Sequence, residues 1–193
     1  MTRSVPSLVL FVATSLFGLG AARAETEGPV SLSLVPPVQI VPKHGSVYGF
    51  RLNLVGQNQT VHGLDVGVVN WVERDFVGFQ WLGFGWVEGD AKGVQWNYLA
   101  NITQGRLEGG QLGLFNLARE KSAGAQLGFV SWSETDFTGL EAGLVAYSPT
   151  FSGLQFGLIN VTDRLRGLQV GLVNVAENGF LPIFPIINFH FDD

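Results

Sequence analysis

From residue 63 onward, apolar and polar positions recur with a period of about one short strand and its turn. A Gly stands at 63, 78, 93, 109, 124, 139, 153 and 167, with spacings of 15, 15, 16, 15, 15, 14 and 14, and a fainter copy starts at Gly49. Taking each Gly as position 0, position 2 holds Asp65, Gln80, Gln95, Gln111, Gln126, Glu141, Gln155 and Gln169. Position 4 is Gly in six of the eight units, and position 7 holds Asn70, Asn116, Asn160 and Asn174 in four of them. Within residues 167–174 (Gly-Leu-Gln-Val-Gly-Leu-Val-Asn), side chains alternate with period two, which predicts a strand. The polar stretches Glu73-Arg74-Asp75 and Glu177-Asn178-Gly179 predict turns. Gly at every fourth or fifth residue would cost a helix about 1 kcal/mol each time, so the domain reads as all-β.

Two architectures accommodate such strands. In a β-solenoid of 14–16-residue coils, each coil lies parallel on the one before and identical positions stack about 4.8 Å apart. Repeated Gln and Asn then form ladders. In an antiparallel up-and-down β-barrel of the outer-membrane type, an off-centre Asn does not meet its own copy on the next strand. The repetition therefore favours the solenoid, with the barrel, in function a small channel, as the alternative, which strands of about 10 residues and strand-end aromatics also suit.

For the solenoid, the apolar residues at positions 1, 3 and 5, with Phe76, Phe137 and Phe151 two residues before the next Gly, are expected to fill the core. The Gln column is expected to form a flat outer ribbon. The Asn column is expected at a corner, where it would satisfy backbone groups left unpaired by the turn.

The ends differ from the repeats. Residues 1–24 read as a signal peptide, with Arg3, an apolar run from Leu8 to Leu19, and Ala22-Arg23-Ala24 before a cut at Glu25. Residues 25–46 read as an N-terminal cap or leading strand, 47–179 as the repeat domain, and 180–193 as a C-terminal cap or closing strand. Pro36, Pro37, Pro182 and Pro185 suit terminal strands, because proline denies a ladder its donor.

Composition narrows the function. The chain has no Cys, which excludes thiol catalysis, disulfides, thiolate zinc sites and lipid attachment through Cys. Without residues 1–24 it carries 9 basic and 16 acidic residues, a formal charge of -7, so no basic footprint for nucleic acid exists. His44, His62 and His190 are isolated, and no serine elbow is present. Residues 83–89 have the wrong spacing for a nucleotide loop, and no helix is expected after them. These features point away from an enzyme and imply no cofactor. Glu73, Asp75, Glu88 and Asp90 lie in consecutive units, so stacking would place four carboxylates at one edge as Ca²⁺ candidates, against a reading as solvated acidic turns. Trp81 and Trp96, at position 3, are expected in the core. Trp71 and Trp86, at position 8, are candidate interaction aromatics for a glycan, an envelope protein or the outer membrane.

Residues 153–160 (Gly-Leu-Gln-Phe-Gly-Leu-Ile-Asn), residues 167–174 and the Leu-Pro-Ile-Phe-Pro-Ile-Ile-Asn ending at 181–188 resemble the surface-repeat family of bacterial cell-envelope proteins. The resemblance covers about residues 47 to 193, with Leu82 and Asn97 replacing the second Gly in two units. It implies an exported cell-envelope or surface protein of a Gram-negative-type bacterium, at the cell surface, outer membrane or periplasm, with no assigned enzymatic activity.

Overall fold

The computed structural model describes residues 26–191; the expected signal peptide and its cut at Glu25 lie outside them. The strands are β1 (Glu27–Val35), β2 (Val38–Gln39), β3 (Ser46–Asn58), β4 (Val61–Val72), β5 (Phe76–Val87), β6 (Ala91–Thr103), β7 (Leu107–Leu112), β8 (Phe115–Ala118), β9 (Ser122–Ser133), β10 (Asp136–Tyr147), β11 (Thr150–Thr162), β12 (Arg164–Ala176) and β13 (Ile183–His190). The described residues contain no helix.

From β3 to β12 all pairings between neighbouring coils are parallel, with β7 and β8 sharing one coil. Like stands on like: Gly139 pairs Gly153, Leu140 pairs Leu154, and Glu141 pairs Gln155. This is a β-solenoid. The barrel alternative is set aside, because a barrel of that kind needs antiparallel neighbours and a closing pair, whereas β13 and β2 lie at opposite ends of the strand order. The N-terminal end carries β1, parallel to β3, with β2 folded back on it. At the other end β13 turns antiparallel on β12 and breaks the parallel register.

Each strand continues around the corners of its coil, and glycine makes this possible. Gly153 has φ +136°, and a Cβ there would stand 2.0 Å from the carbonyl oxygen of Gly139 one coil below. The position is thus closed to other residues by both dihedral and contact. The same positive φ recurs at position 0 of every coil.

These bends reverse the expected inside and outside. The interior is lined by four columns: the residue two before each Gly, and positions 2, 7 and 9. The first and last hold buried apolar residues such as Phe76, Phe137, Phe151, Leu165, Val72 and Val87. The other two are the Gln and Asn columns, also buried. The expected outer Gln ribbon is therefore corrected, as is the core assignment of positions 1, 3 and 5. Leu158 and Leu172 are 52% and 68% exposed, and Trp81 and Trp96, expected inside, are 37% and 43% exposed. Alternation divides a strand into two sets, but the corner direction decides which set faces inward. Here the bends at positions 0 and 4 put the amides on the concave side. Burial is tolerable because each Gln of the column donates its amide to a side chain on the coil before it.

Candidate functional site

The interior columns are hydrogen-bonded ladders. Gln95 donates through Nε2 to Gln80 Oε1 at 3.1 Å, Gln111 to Gln95 at 2.9 Å, and Gln126 to Gln111 at 2.9 Å. Beyond Glu141 the run resumes, with Gln155 donating to Glu141 Oε2 at 2.7 Å and Gln169 to Gln155 at 2.8 Å. Every amide N–H points toward the N-terminal end, where Gln80 donates to Asp65. Arg51, also fully buried, closes this end with two contacts to the Asp65 carboxylate, both 2.7 Å.

The Asn ladder runs the other way. Asn53 donates to Asn70, Asn101 to Asn116 and Asn160 to Asn174, at 3.0, 2.9 and 2.8 Å. The side-chain dipoles of the two ladders therefore oppose each other. Asn70 and Asn174 also donate to the Gly67 and Gly171 carbonyls within their own corners.

Sequence reading missed Arg51, Asn53, Asn97 and Asn101. The signal for Asn97 lay in two departures that compensate. Position 7 of the Gly78 unit is Gly85, and Asn97, standing where the next unit has its second Gly, fills the space: a Cβ on Gly85 would lie 2.3 Å from Asn97 Nδ2. Asn97 accepts from Asn70 and donates to Asn101, bridging the gap. The extra residue in β6 moves its Asn to 101, opposite Asn116. Ser131 and Ala146 interrupt the column before Asn160.

Glu141 is the titratable group with a clear perturbation. Burial raises its carboxyl from 4.5 to about 7, against the lowering effect of hydrogen bonds from Gln155, Ser148 and Ser133. It lies inside the packed stack, among ladder residues.

The four candidate Ca²⁺ carboxylates are engaged separately. Glu73 accepts from Gln57, and Glu88 from the indole N–H of Trp71. Asp75 accepts from the Asp90 backbone N–H, and Asp90 from that of Arg106. Among the described residues no group of three or more His, Asp or Glu is placed to hold a metal ion. His62 packs edge-on against Tyr48, while His44 lies in the loop before β3 and His190 ends β13. The 83–89 segment belongs to β5 and its following turn.

The outer surface is divided by chemistry. From β3 to β12, allowing for the extra residue in β6, outward positions 1, 3, 5, 6 and 8 carry apolar or aromatic residues or Gly, with Gln57 the one non-aromatic polar side chain and no charge. Positions 1 and 3 make one face, 6 and 8 a second, and position 5 the edge between them. Leu54, Val68, Phe129, Leu144, Leu158 and Leu172 line that edge, all exposed. The third face and its turns hold the exposed charges, among them the cross-coil pairs Lys92–Glu108, Arg119–Glu134 and Lys121–Asp136. Trp71, Trp86, Trp132 and Tyr147, all at position 8, line the rim beside the charged turns; the Trp132 and Tyr147 rings lie 4.2 Å apart. At the N-terminal end the apolar surface continues into a cleft of about 680 Å³, lined chiefly by Leu32, Leu34, Val38, Ile40, Leu52 and Leu54.

The chain matches no family model, curated protein or solved structure.

Proposed function

We propose that this chain is a non-enzymatic, exported cell-envelope or surface repeat protein whose solenoid presents an extended interaction surface. The observation carrying this reading is the pair of charge-free outer faces running the length of the coil stack. Nine coils at about 4.8 Å make a ribbon on the order of 40 Å long. Monomeric soluble proteins rarely expose contiguous apolar patches beyond a few hundred Å², and larger ones mark sites of protein or membrane contact. The polar groups with chemical potential, Glu141, Asp65 and Arg51, are consumed by the ladders inside. Export is supported by the leader-like residues 1–24, and the envelope setting by the resemblance to surface-repeat proteins.

Expression of the full chain in a Gram-negative host, followed by fractionation and intact mass, tests this reading. The expected product lies in the envelope fraction and begins at Glu25. A cytoplasmic product retaining Met1 would overturn the address. Turnover of a glycan, ester or peptide that is lost on replacing Glu141 or His62 would overturn the non-enzymatic assignment.

A further inference from the structure

The two apolar faces meet in a convex wedge, and its shape identifies what covers it. We propose that the solenoid lies with its axis in the plane of a lipid leaflet, with the position-5 edge sunk into the acyl chains and the charged face in water. The inference rests on the interaction-surface reading above and names the partner as lipid.

Four observations carry it. First, positions 5 and 6 both face outward between the buried columns, as Leu158 and Ile159 do between Gln155 and Asn160, so the two faces meet at an outside corner: a second copy bound through one flat face leaves the other face in water, whereas a fluid leaflet covers both at once. Second, the tip is lined by residues compatible with hydrocarbon, including Phe129, Leu144, Leu158 and Leu172, with Tyr98 the exception. Third, the position-8 aromatics sit where a membrane–water boundary would fall. Trp71 keeps its ring on the apolar face and turns its indole N–H to Glu88 on the polar side, at 2.9 Å. Tryptophan and tyrosine, amphipathic rings with a polar tip, concentrate at that level of a bilayer. Fourth, the cleft beside Leu52 and Leu54 opens from the same surface and is apolar, as an acyl-chain groove would be.

Backbone polarity sets the depth. A spanning structure must satisfy its polar groups within the hydrocarbon, and the charged third face excludes this. An interfacial element, in contrast, buries its apolar side about 5–10 Å into the headgroup and acyl boundary. The third face carries three ion pairs across coils, the chain is acidic overall, and no basic patch faces anionic headgroups. Attachment should therefore be apolar in origin and insensitive to salt, unlike that of a basic amphipathic helix.

The test uses the processed chain with neutral phosphatidylcholine vesicles, in flotation at 0.1 M and 1 M salt. The chain has no Cys, so Leu144→Cys, Leu158→Cys and Lys121→Cys each place one environment-sensitive fluorophore. The expected result is flotation at both salt concentrations, with a blue shift from the labels at 144 and 158 and none at 121. A Leu144→Asn/Leu158→Asn/Leu172→Asn variant should lose at least about a hundredfold in partitioning, since three exposed leucines would no longer enter the acyl chains. These side chains point outward, so the variant should keep its β circular-dichroism spectrum and melting transition. The protein is tested as the processed product that begins at Glu25, because a retained apolar run from Leu8 to Leu19 would by itself hold every variant on the vesicles. Flotation abolished by 1 M salt, equal shifts at all three labels, or partitioning unchanged by the triple substitution would overturn the proposal. A stable dimer or a dispersed monomer in buffer without vesicle binding would overturn the lipid assignment and leave the interaction-surface reading to its own fractionation test.

Discussion

Glu141 is the register partner of Gln126 one coil further on, and the Gln126 Oε1 that faces it has no hydrogen-bond partner among the described residues. At the equivalent oxygens of Gln80, Gln95, Gln111 and Gln155 an amide from the next coil donates. A carboxylate has no proton to offer, whereas a neutral carboxyl has one.

The ladder therefore predicts a pH-dependent stability. Burial raises the Glu141 carboxyl from 4.5 to about 7, so the folded state holds the proton more tightly than the unfolded one. The contribution is fully present below about pH 4.5 and is lost as pH rises through 7, amounting to about 3 kcal/mol for such a shift. Denaturant titrations of wild type and Glu141→Gln at pH 5 and pH 8 measure it. The variant restores an amide and should lose most of this pH dependence, gaining stability at pH 8. An unchanged difference between the two pH values would refute the assignment.

At the N-terminal end of the same column, Arg51 and Asp65 are both fully buried. Removing one partner, as in Arg51→Gln or Asp65→Gln, leaves an unpaired interior charge and should cost about 3–5 kcal/mol. The double Arg51→Gln/Asp65→Gln variant extends the amide column by two coils and should cost less than either single change. Urea unfolding of the three variants closes the cycle. A double variant as damaged as the sum of the singles would mean that the pair acts otherwise.

Asn174 donates to the carbonyls of Gly171 and Phe184 and accepts from Asn160. Asn174→Leu or Asn160→Leu should cost about 1–3 kcal/mol through buried groups left unpaired. Thermal melts suffice to measure this, and a neutral result for both would remove the Asn column from the stabilising core.

Gly153 and Gly110 make a contrasting pair. Gly153→Ala meets both a positive φ and the Gly139 carbonyl, while a Cβ on Gly110 finds its nearest atom at 3.6 Å. The first substitution should cost more than about 2 kcal/mol, and the second should stay within about 0.5 kcal/mol of wild type. Equal effects would show that the corner is not what demands glycine.

Ile159 and Val173 are direct parallel partners on the outer surface. Cysteines at these two positions would have Cα atoms about 4.8 Å apart, within disulfide reach. Oxidation should link them readily without loss of the fold; failure to link would contradict the stacking of these coils.

The sequence by itself determined the coil. A Gly every 14–16 residues, with Gln two and Asn seven places later, is a property of spacing, and equal spacing places like residues together only when coils stack in parallel. The all-β class and the solenoid were legible for that reason. What the tertiary structure decided was which side is inside. Leu168, Val170 and Leu172 alternate with Gln169 and Gly171, a pattern that in an ordinary strand puts leucine in the core. The positive-φ bend at Gly167 instead turns Gln169 inward. Such an interior is stable because its amides find partners 14–16 residues away, a distance over which local alternation carries no information. The apolar faces emerged from the same bends. Leu144, Leu158 and Leu172 read as core along the chain, and only the direction of each corner brings them together on one exposed edge.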